Sequence, residues 1–302
     1  MFDLDFAFYN LKNTDRRGIF CQKFILDRLA PVFFGPRVER LIDLQDLGSR
    51  GCNITLPLGP GNLKMLEPQN RENIVNKSKA ILEEYNLPAM AVDRRHKKQF
   101  SELFNQLPLV FGDNFIKALA SVMIRETLSR RNINKLVVVG DTEYFADFIC
   151  EISNLGIPVS LQSHNPCRQE VMAYRLLYEK GHAVSTSYIK PQHWQRGDLI
   201  LMFDPDQQQL AITYPQAFYI KLSNEVCNLA LELENRLQKN GIDYLLHNLA
   251  PILEISLLSK AGIWGSDAEQ NNAREGEGQR FLVLQKIGYE LGLWDLFLDK
   301  AI

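Results

Sequence analysis

Residues able to recognise a phosphate or a small polar ligand fall in three short stretches of the chain. The first is Lys135-Leu-Val-Val-Val-Gly140-Asp141-Thr142-Glu143-Tyr-Phe-Ala146. It reads as a buried strand, a tight turn and the start of a helix, the layout of the first βα unit of a dinucleotide-binding domain. A helix N-terminus presents free N–H groups and a partial positive charge, so it attracts phosphate. The glycine fingerprint of such a turn asks for glycine at three places. Gly140 fills the first, whereas Glu143 and Ala146 stand at the others. Alanine is tolerated at the last position, but Glu143, with Asp141 nearby, puts carboxylates where a pyrophosphate would rest. Two readings stay open: acidic residues that stabilise an ordinary helix start, or an altered nucleotide site built on Gly140, Asp141, Thr142 and Glu143.

The second stretch, Leu161-Gln162-Ser163-His164-Asn165-Pro166-Cys167-Arg168, lies about 20 residues beyond the glycine turn, where the nucleotide ribose is read. It contains no acid. With a dinucleotide bound, Ser163, His164 and Arg168 favour a 2′-phosphate, and so NADP over NAD. Without one, Asn165 is a helix cap and Arg168 a solvated cation. The third group, Asn53, Thr55, Gly112, Asp113 and Asn114, falls just past predicted strands or at a helix start. Open α/β sheets bind ligands there, so these residues form the candidate substrate cleft. Asp113 and Asn114 suit helix capping equally well.

Other chemistry is sparsely supported. The run Asp93-Arg94-Arg95-His96-Lys97-Lys98 is either an anion site or a solvated turn. No G-x-S-x-G elbow occurs, and Cys167 at a helix start is a more natural structural cysteine than a nucleophile. The five histidines lack metal-ligand spacing, so no metal is expected. No residue can be assigned a catalytic role.

The elements that position these residues follow from hydrophobic periodicity. Strands are predicted at 6–9, 38–44, 52–56 and 88–92, with helices at 19–30, ending before Pro31, and at 69–85. A long helix over 114–131 leads to a second series. That series has strands at 135–139, 157–161, 183–186, 198–203 and 217–222. Its helices cover 142–155, closed by Gly156, and the segment from Asn165 to Gly181. Asp204-Pro205-Asp206 reads as a turn. Helices over 225–239, 244–260 and 281–291 form a helical C-terminal tail, and the polar segment 265–279 is predicted to be a mobile loop. The expected fold is therefore two α/β domains with a cleft between them. The C-terminal one is a Rossmann-type doubly wound parallel sheet. The predicted boundaries are 1–112, 113–264 and 265–302.

Composition narrows the classes of function. The chain has 302 residues, 46% hydrophobic and 23% charged, with net charge -2. That balance gives no general attraction to nucleic acid, and no apolar run suits membrane insertion. The opening Met-Phe-Asp-Leu-Asp-Phe lacks the basic-then-apolar order of a secretory signal. Five cysteines without a CxxC pair suit a reducing compartment, so a cytoplasmic location is expected. A small molecule is the expected partner, with a homo-oligomer left open.

Several segments resemble the predicted amino acid dehydrogenases related to cyanobacterial long-chain acyl-carrier-protein reductase. They are Phe6-Ala-Phe8, Asp27-Arg28-Leu29, Ile54 to Leu66, Val110-Phe-Gly112-Asp-Asn114 with Ile116 to Met123, Leu249 to Leu258, and Lys286 to Gly292. That family's turn is similar to Gly-Ala-Thr-Gly-Ser-Ile-Gly; Gly140 and Thr142 fit it, while Glu143 and Ala146 replace glycines. The acyl-accepting cysteine has no counterpart, since Cys227 lies in a dissimilar context. Cys52-Asn53-Ile54-Thr55-Leu56-Pro57 and Gly112-Asp113-Asn114 also resemble shikimate dehydrogenases. Leu58 and Gly59 stand where that family has its proton-moving lysine, and Phe115 and Ile116 where it has Thr-Asp. Both resemblances imply an NAD(P)-dependent dehydrogenase or reductase of a small acid or acyl compound, with a degenerate dinucleotide motif. The alternative is a catalytically inactive relative that serves as a ligand-binding or protein-interaction module, with no cofactor.

Overall fold

The computed structural model describes residues 4–11, 15, 18, 22–44, 48–140, 145–203, 216–222, 231–239, 242, 245–263 and 277–298. The chain divides into two compact units. Unit 1 comprises Met1–Phe115 and Ala230–Asn271, and unit 2 comprises Ile116–Leu229 and Asn272–Ile302. Among the described residues no helix is long and apolar enough to cross a membrane.

Unit 1 is built on a sheet of five strands: β1 (Phe6–Leu11), β2 (Arg37–Leu44), β3 (Ser49–Leu56), β4 (Met90–Val92) and β5 (Leu109–Val110). Their order is β2-β3-β1-β4-β5. All pairings are parallel except that of β2 with β3. Alternation sorts the side chains between the two faces. Ala7, Tyr9, Leu11, Cys52, Ile54, Leu56, Met90 and Val92 share one face and one core with Leu26, Ile74, Val75 and Phe100. Those last four belong to helices α1 (Lys23–Phe33), α3 (Pro68–Glu84) and α4 (Lys97–Leu103), the short α2 (Pro60–Met65) intervening. Within this core, burial pushes the Cys52 thiol up to about 11.

Helix α1 runs through Pro31 rather than stopping before it. Proline has no N–H for the carbonyl of Asp27, a loss that normally ends a helix. Here the side chain of Asn70 on α3 donates to that carbonyl at 3.0 Å. A bond from outside the helix replaces the missing internal one.

Helix α5 (Asp113–Arg130) leads into unit 2. There β6 (Lys135–Val139), β7 (Val159–Ser163), β8 (Val184–Tyr188), β9 (Asp198–Met202) and β10 (Phe218–Lys221) form an all-parallel sheet in the order β10-β9-β6-β7-β8. This is a Rossmann-like arrangement, with the order reversing between β6 and β9. The central strands β6 and β9 are buried on both faces, as strands covered on both sides require. Helices α6 (Ala146–Ser153) and α7 (Pro166–Lys180) follow β6 and β7. Gly181 closes α7 at φ 73°, so the Asn165-to-Gly181 boundaries read from the sequence are those observed. Strands β7 and β8 end two residues later than predicted, because the buried faces of Gln162 and Ser163 continue the pairing with β8.

The remaining helices are α8 (Leu231–Lys239), α9 (Leu246–Lys260), α10 (Glu277–Glu290) and α11 (Asp295–Leu298). The sequence reading groups residues 113–264 together. In the structure α9 instead packs on β1, β4 and β5 of unit 1. Every residue from Leu246 to Leu258 is buried, and a helix apolar on all sides must be covered on all sides. Of the predicted mobile loop 265–279, the last three residues belong to α10. The rest lies outside the described residues, as does the turn 204–206.

Candidate functional site

In unit 1 the carboxyl ends of β4 and β5 carry a chain of charged contacts. Asp93 follows β4, caps a short 3-10 turn (Arg94–His96), and accepts from the Arg95 backbone N–H at 2.9 Å. The Arg95 guanidinium returns to the same carboxylate at 2.6 Å. On α9, His247 Nδ1 lies 3.2 Å from Asp93 Oδ1. Burial by itself would raise the Asp93 carboxyl. The hydrogen bonds and charge of His247, with the bonds from Arg95, outweigh it and hold the group below the usual carboxylate range.

Asp113, at the start of α5, is bracketed by Arg94 at 2.5 Å and Lys97 at 2.6 Å. Burial opposes its ionisation, but the two cations prevail and lower its pKa. Within the run Asp93–Lys98, Arg95 and Lys98 are exposed. Its Arg94, Arg95 and Lys97 are turned onto Asp93 and Asp113. Asp113 in turn does not cap α5. That role falls to Glu254 of α9, which accepts from the backbone N–H of Asn114 at 2.9 Å and of Phe115 at 3.0 Å, and from the Asn114 amide at 2.9 Å. A buried carboxylate thus fills the positive end of α5. Burial raises the Glu254 pKa, and the three donors only partly oppose that rise.

Gly112 holds φ at 79°, and a Cβ there would lie 2.6 Å from the backbone nitrogen of Pro251. The glycine is what allows α9 to pass so close to the end of β5. Asn53 and Thr55 lie within β3. Both stand on the sheet face opposite the Ile54 core. The Asn53 Oδ1 and Thr55 Oγ1 atoms are buried without a hydrogen-bond partner, as are Asn248 Oδ1 and Ser256 Oγ of α9. A buried acceptor left unpaired costs about 1–3 kcal/mol. The five cleft residues of the sequence reading thus fall in one unit, where Asp113 and Asn114 are committed to internal bonds.

In unit 2 the candidate site is the end of β6. Gly140 adopts φ 125°, which only glycine accepts readily. Its N–H donates to the Gln162 carbonyl of β7, and its own carbonyl accepts from the Gln169 side chain of α7 at 2.8 Å. Asp141, Thr142 and Glu143 lie outside the described residues. Helix α6 begins at Ala146; the predicted start at 142 lies outside the described residues. Its first-turn acid is Asp147, whose two oxygens each lie 2.9 Å from Lys117 Nζ. That acid is neutralised within the unit. Phe145, at the helix start, meets Phe203, just past β9, edge to face with 5.0 Å between centroids. The two strand ends flanking the switch point are joined there by an apolar contact.

At the end of β7, Ser163 is fully buried, and its Oγ accepts from the backbone N–H of Asn165 at 3.2 Å. His164 and Arg168 are exposed. Cys167, at the start of α7, is an exposed free thiol. Among the described residues no group of three or more His, Cys, Asp or Glu is placed to hold a metal ion.

Glu254, His247, Gln169 and the Lys117–Asp147 pair escape sequence reading. One signal for the first two is present in the chain. His247, Asn248, Glu254 and Ser256 interrupt a helix whose leucines, isoleucines and alanines occupy every side, so its polar residues have to be buried and in need of partners.

No protein-family model matches the chain, and no curated protein matches it. Several solved structures align with most of its length at low similarity. L-tryptophan dehydrogenase from Nostoc punctiforme aligns at 10% identity and a TM-score of 0.41, covering 97% of this chain and 80% of its own. Ligand-free 5-ketofructose reductase of Gluconobacter sp. strain CHM43 aligns at 10% identity and 0.37, covering 93% and 98%. Shikimate 5-dehydrogenase from Thermus thermophilus, in complex with NADP(H) and shikimate, aligns at 13% identity and 0.32, covering 93% and 99%. Similarity of this degree does not extend to chemistry, and the Rossmann-like character of unit 2 rests on its own strand order.

Proposed function

We propose that the chain is a cytoplasmic dinucleotide-binding protein of the dehydrogenase or reductase class, that it takes NADP(H) in preference to NAD(H), and that unit 1 receives a small acid or acyl compound. The observation that supports this most is the end of β6 in unit 2. The first crossover leaves a parallel sheet at its switch point through a glycine whose conformation few other residues accept. Its carbonyl is tied by the Gln169 side chain. His164 and Arg168, exposed at the end of β7, suit a 2′-phosphate by charge and type. A nicotinamide dinucleotide bound there would supply hydride chemistry. In unit 1 the unpaired oxygens of Asn53 and Thr55 suit a hydroxyl-bearing ligand.

A second reading is favoured by a separate observation. Asp113 and Asn114 are spent on Arg94, Lys97 and Glu254, and so are not disposed to move a proton on a substrate. On that reading the chain binds a ligand or a protein without turning it over. Thermal shift with NAD, NADH, NADP and NADPH at millimolar concentration separates the two. Saturation at about 100 times the dissociation constant stabilises by about 2.7 kcal/mol, a rise of several degrees in melting temperature. We expect the rise with NADPH, and a loss of its margin over NADH in Arg168→Ala. Silence from all four nucleotides would remove the oxidoreductase reading and leave the second.

A further inference from the structure

Among the described residues the two sheets have four edge strands, and three of them carry devices that block further pairing. β2 has Arg37, Glu39 and Arg40 along it and a register shift between Val38 and Arg40. β5 has two residues, and β10 ends on Lys221. Charges, bulges and shortness are the usual defences of a sheet edge. β8, Val184-Ser-Thr-Ser-Tyr188, has none of them. It carries no charge and no proline, and among the described residues nothing pairs with its outer side.

The surface beside that edge is apolar. Helix α7 lies against β8, and it exposes Val171 (73%), Tyr174 (61%) and Tyr178 (81%), spaced three and four residues apart on one face. Tyr188, at the end of β8, is 59% exposed. A groove of about 480 Å³ runs between the two elements, lined by Pro158, Tyr174, Leu177, Val184 and Thr186, with Glu170 its one charged residue. Monomeric surfaces seldom gather large apolar side chains beside an open edge.

We propose that this face joins two copies of the chain, with β8 paired antiparallel to β8 of the second copy and the two α7 helices packed alongside. An open edge asks for a strand, since only a strand supplies the alternating donors and acceptors. A twofold about Thr186 makes the edge its own complement. Val184 then faces Tyr188 of the second copy and Ser185 faces Ser187, aromatic-to-β-branched and hydroxyl-to-hydroxyl pairs that stabilise antiparallel strands. No charge meets its like along the strand. The three exposed tyrosines alone offer surface on the order of 400 Å². Val171, Leu177 and the strand backbone bring the face towards the ~800 Å² per partner of a stable dimer.

Sedimentation of the full chain between about 1 and 100 µM tests this. A monomer–dimer equilibrium is expected. The double substitution Tyr174→Ser with Tyr178→Glu should weaken it at least tenfold, with unchanged circular dichroism and melting at low concentration. Thr186→Cys should give a disulfide-linked dimer under mild oxidation. A chain that stays monomeric throughout overturns the proposal and leaves the edge to another protein's strand. So does a dimer that the tyrosine substitutions do not weaken, or one in which the cysteine at 186 never cross-links.

Discussion

The two units close the carboxyl ends of their strands by opposite means. In unit 1, charge does it. Asp93, Asp113 and Glu254 take Arg95 and His247, Arg94 and Lys97, and the N-terminal amides of α5. In unit 2 the corresponding region is held by rings and amides: Phe145, Phe148 and Phe203 pack together, and Gln169 ties Gly140. The carboxylates at the strand ends of unit 1 are thus paired within the unit, while His164 and Arg168 of unit 2 lie at its surface. Two α/β sheets of five strands each can share an architecture and still differ in how their strand ends are held.

The contrast breaks first if unit 2 does not depend on its rings. Phe148 is fully buried and packs against Phe203 at 5.9 Å and Phe281 at 6.2 Å. Phe148→Ala should cost about 4 kcal/mol, the scale of a buried phenylalanine truncation. Urea unfolding measures it, and hydrogen exchange should show the loss concentrated in β6, β9 and α6. A loss below about 1 kcal/mol would mean that something other than ring packing holds these strand ends.

The complementary test is Glu254→Ala in unit 1. It removes the carboxylate that accepts from the amides of Asn114 and Phe115, and about 3 kcal/mol should be lost. The sign with pH follows from the raised pKa of Glu254. Its contribution is fully present below the unfolded carboxylate value and declines as pH rises through the higher folded one. Glu254→Gln should therefore flatten that decline while keeping most of the packing. An unchanged pH profile in the glutamine variant would show that the carboxyl is not strained by its burial.

How much of this is legible in the sequence depends on the range of the interaction. Lys135–Val139, the Asn165 and Gly181 boundaries of α7, and the parallel order of unit 2 follow from local patterns, because period and capping are written within a few residues. Helix α6 begins at Ala146 beside Phe145, which packs on Phe203, 58 positions on, a contact that no local pattern shows. The passage of α1 through Pro31 needs Asn70, and the cap of α5 needs Glu254, 140 residues distant. Such partners have no fixed spacing, so no motif pairs them. Asp113 reads as a cap because its type suits one; nothing local shows that Arg94 and Lys97 claim its carboxylate instead.

Asp93 sharpens the comparison from the acid side. Its folded pKa lies below the unfolded value of about 3.9. The stability it confers is present above that value and is lost as pH falls through the folded one. Asp93→Asn should cost about 2 kcal/mol near neutrality, within the range for a buried hydrogen-bonded charge, and should make unit 1 less sensitive to acid. Exchange followed separately in β4 and β7 should show the acid response in the first and not the second. An equal response in both would dissolve the distinction between a charge-closed and a ring-closed unit.

The smallest expected effect bears most directly on binding. Gln169 is buried and donates to the Gly140 carbonyl at 2.8 Å. Gln169→Ala removes that neutral hydrogen bond, a loss of about 1 kcal/mol of stability. If the end of β6 only joins a strand to a helix, the variant loses that and nothing else. If the turn must be held for a nucleotide, its affinity for NADPH should fall about tenfold or more, because a mobile turn has to be ordered at the moment of binding. Calorimetry on the variant and on the parent chain, at a temperature where both remain folded, reads the two effects apart. Equal affinity in the two chains would show that the glycine conformation is a property of the fold and not of a site.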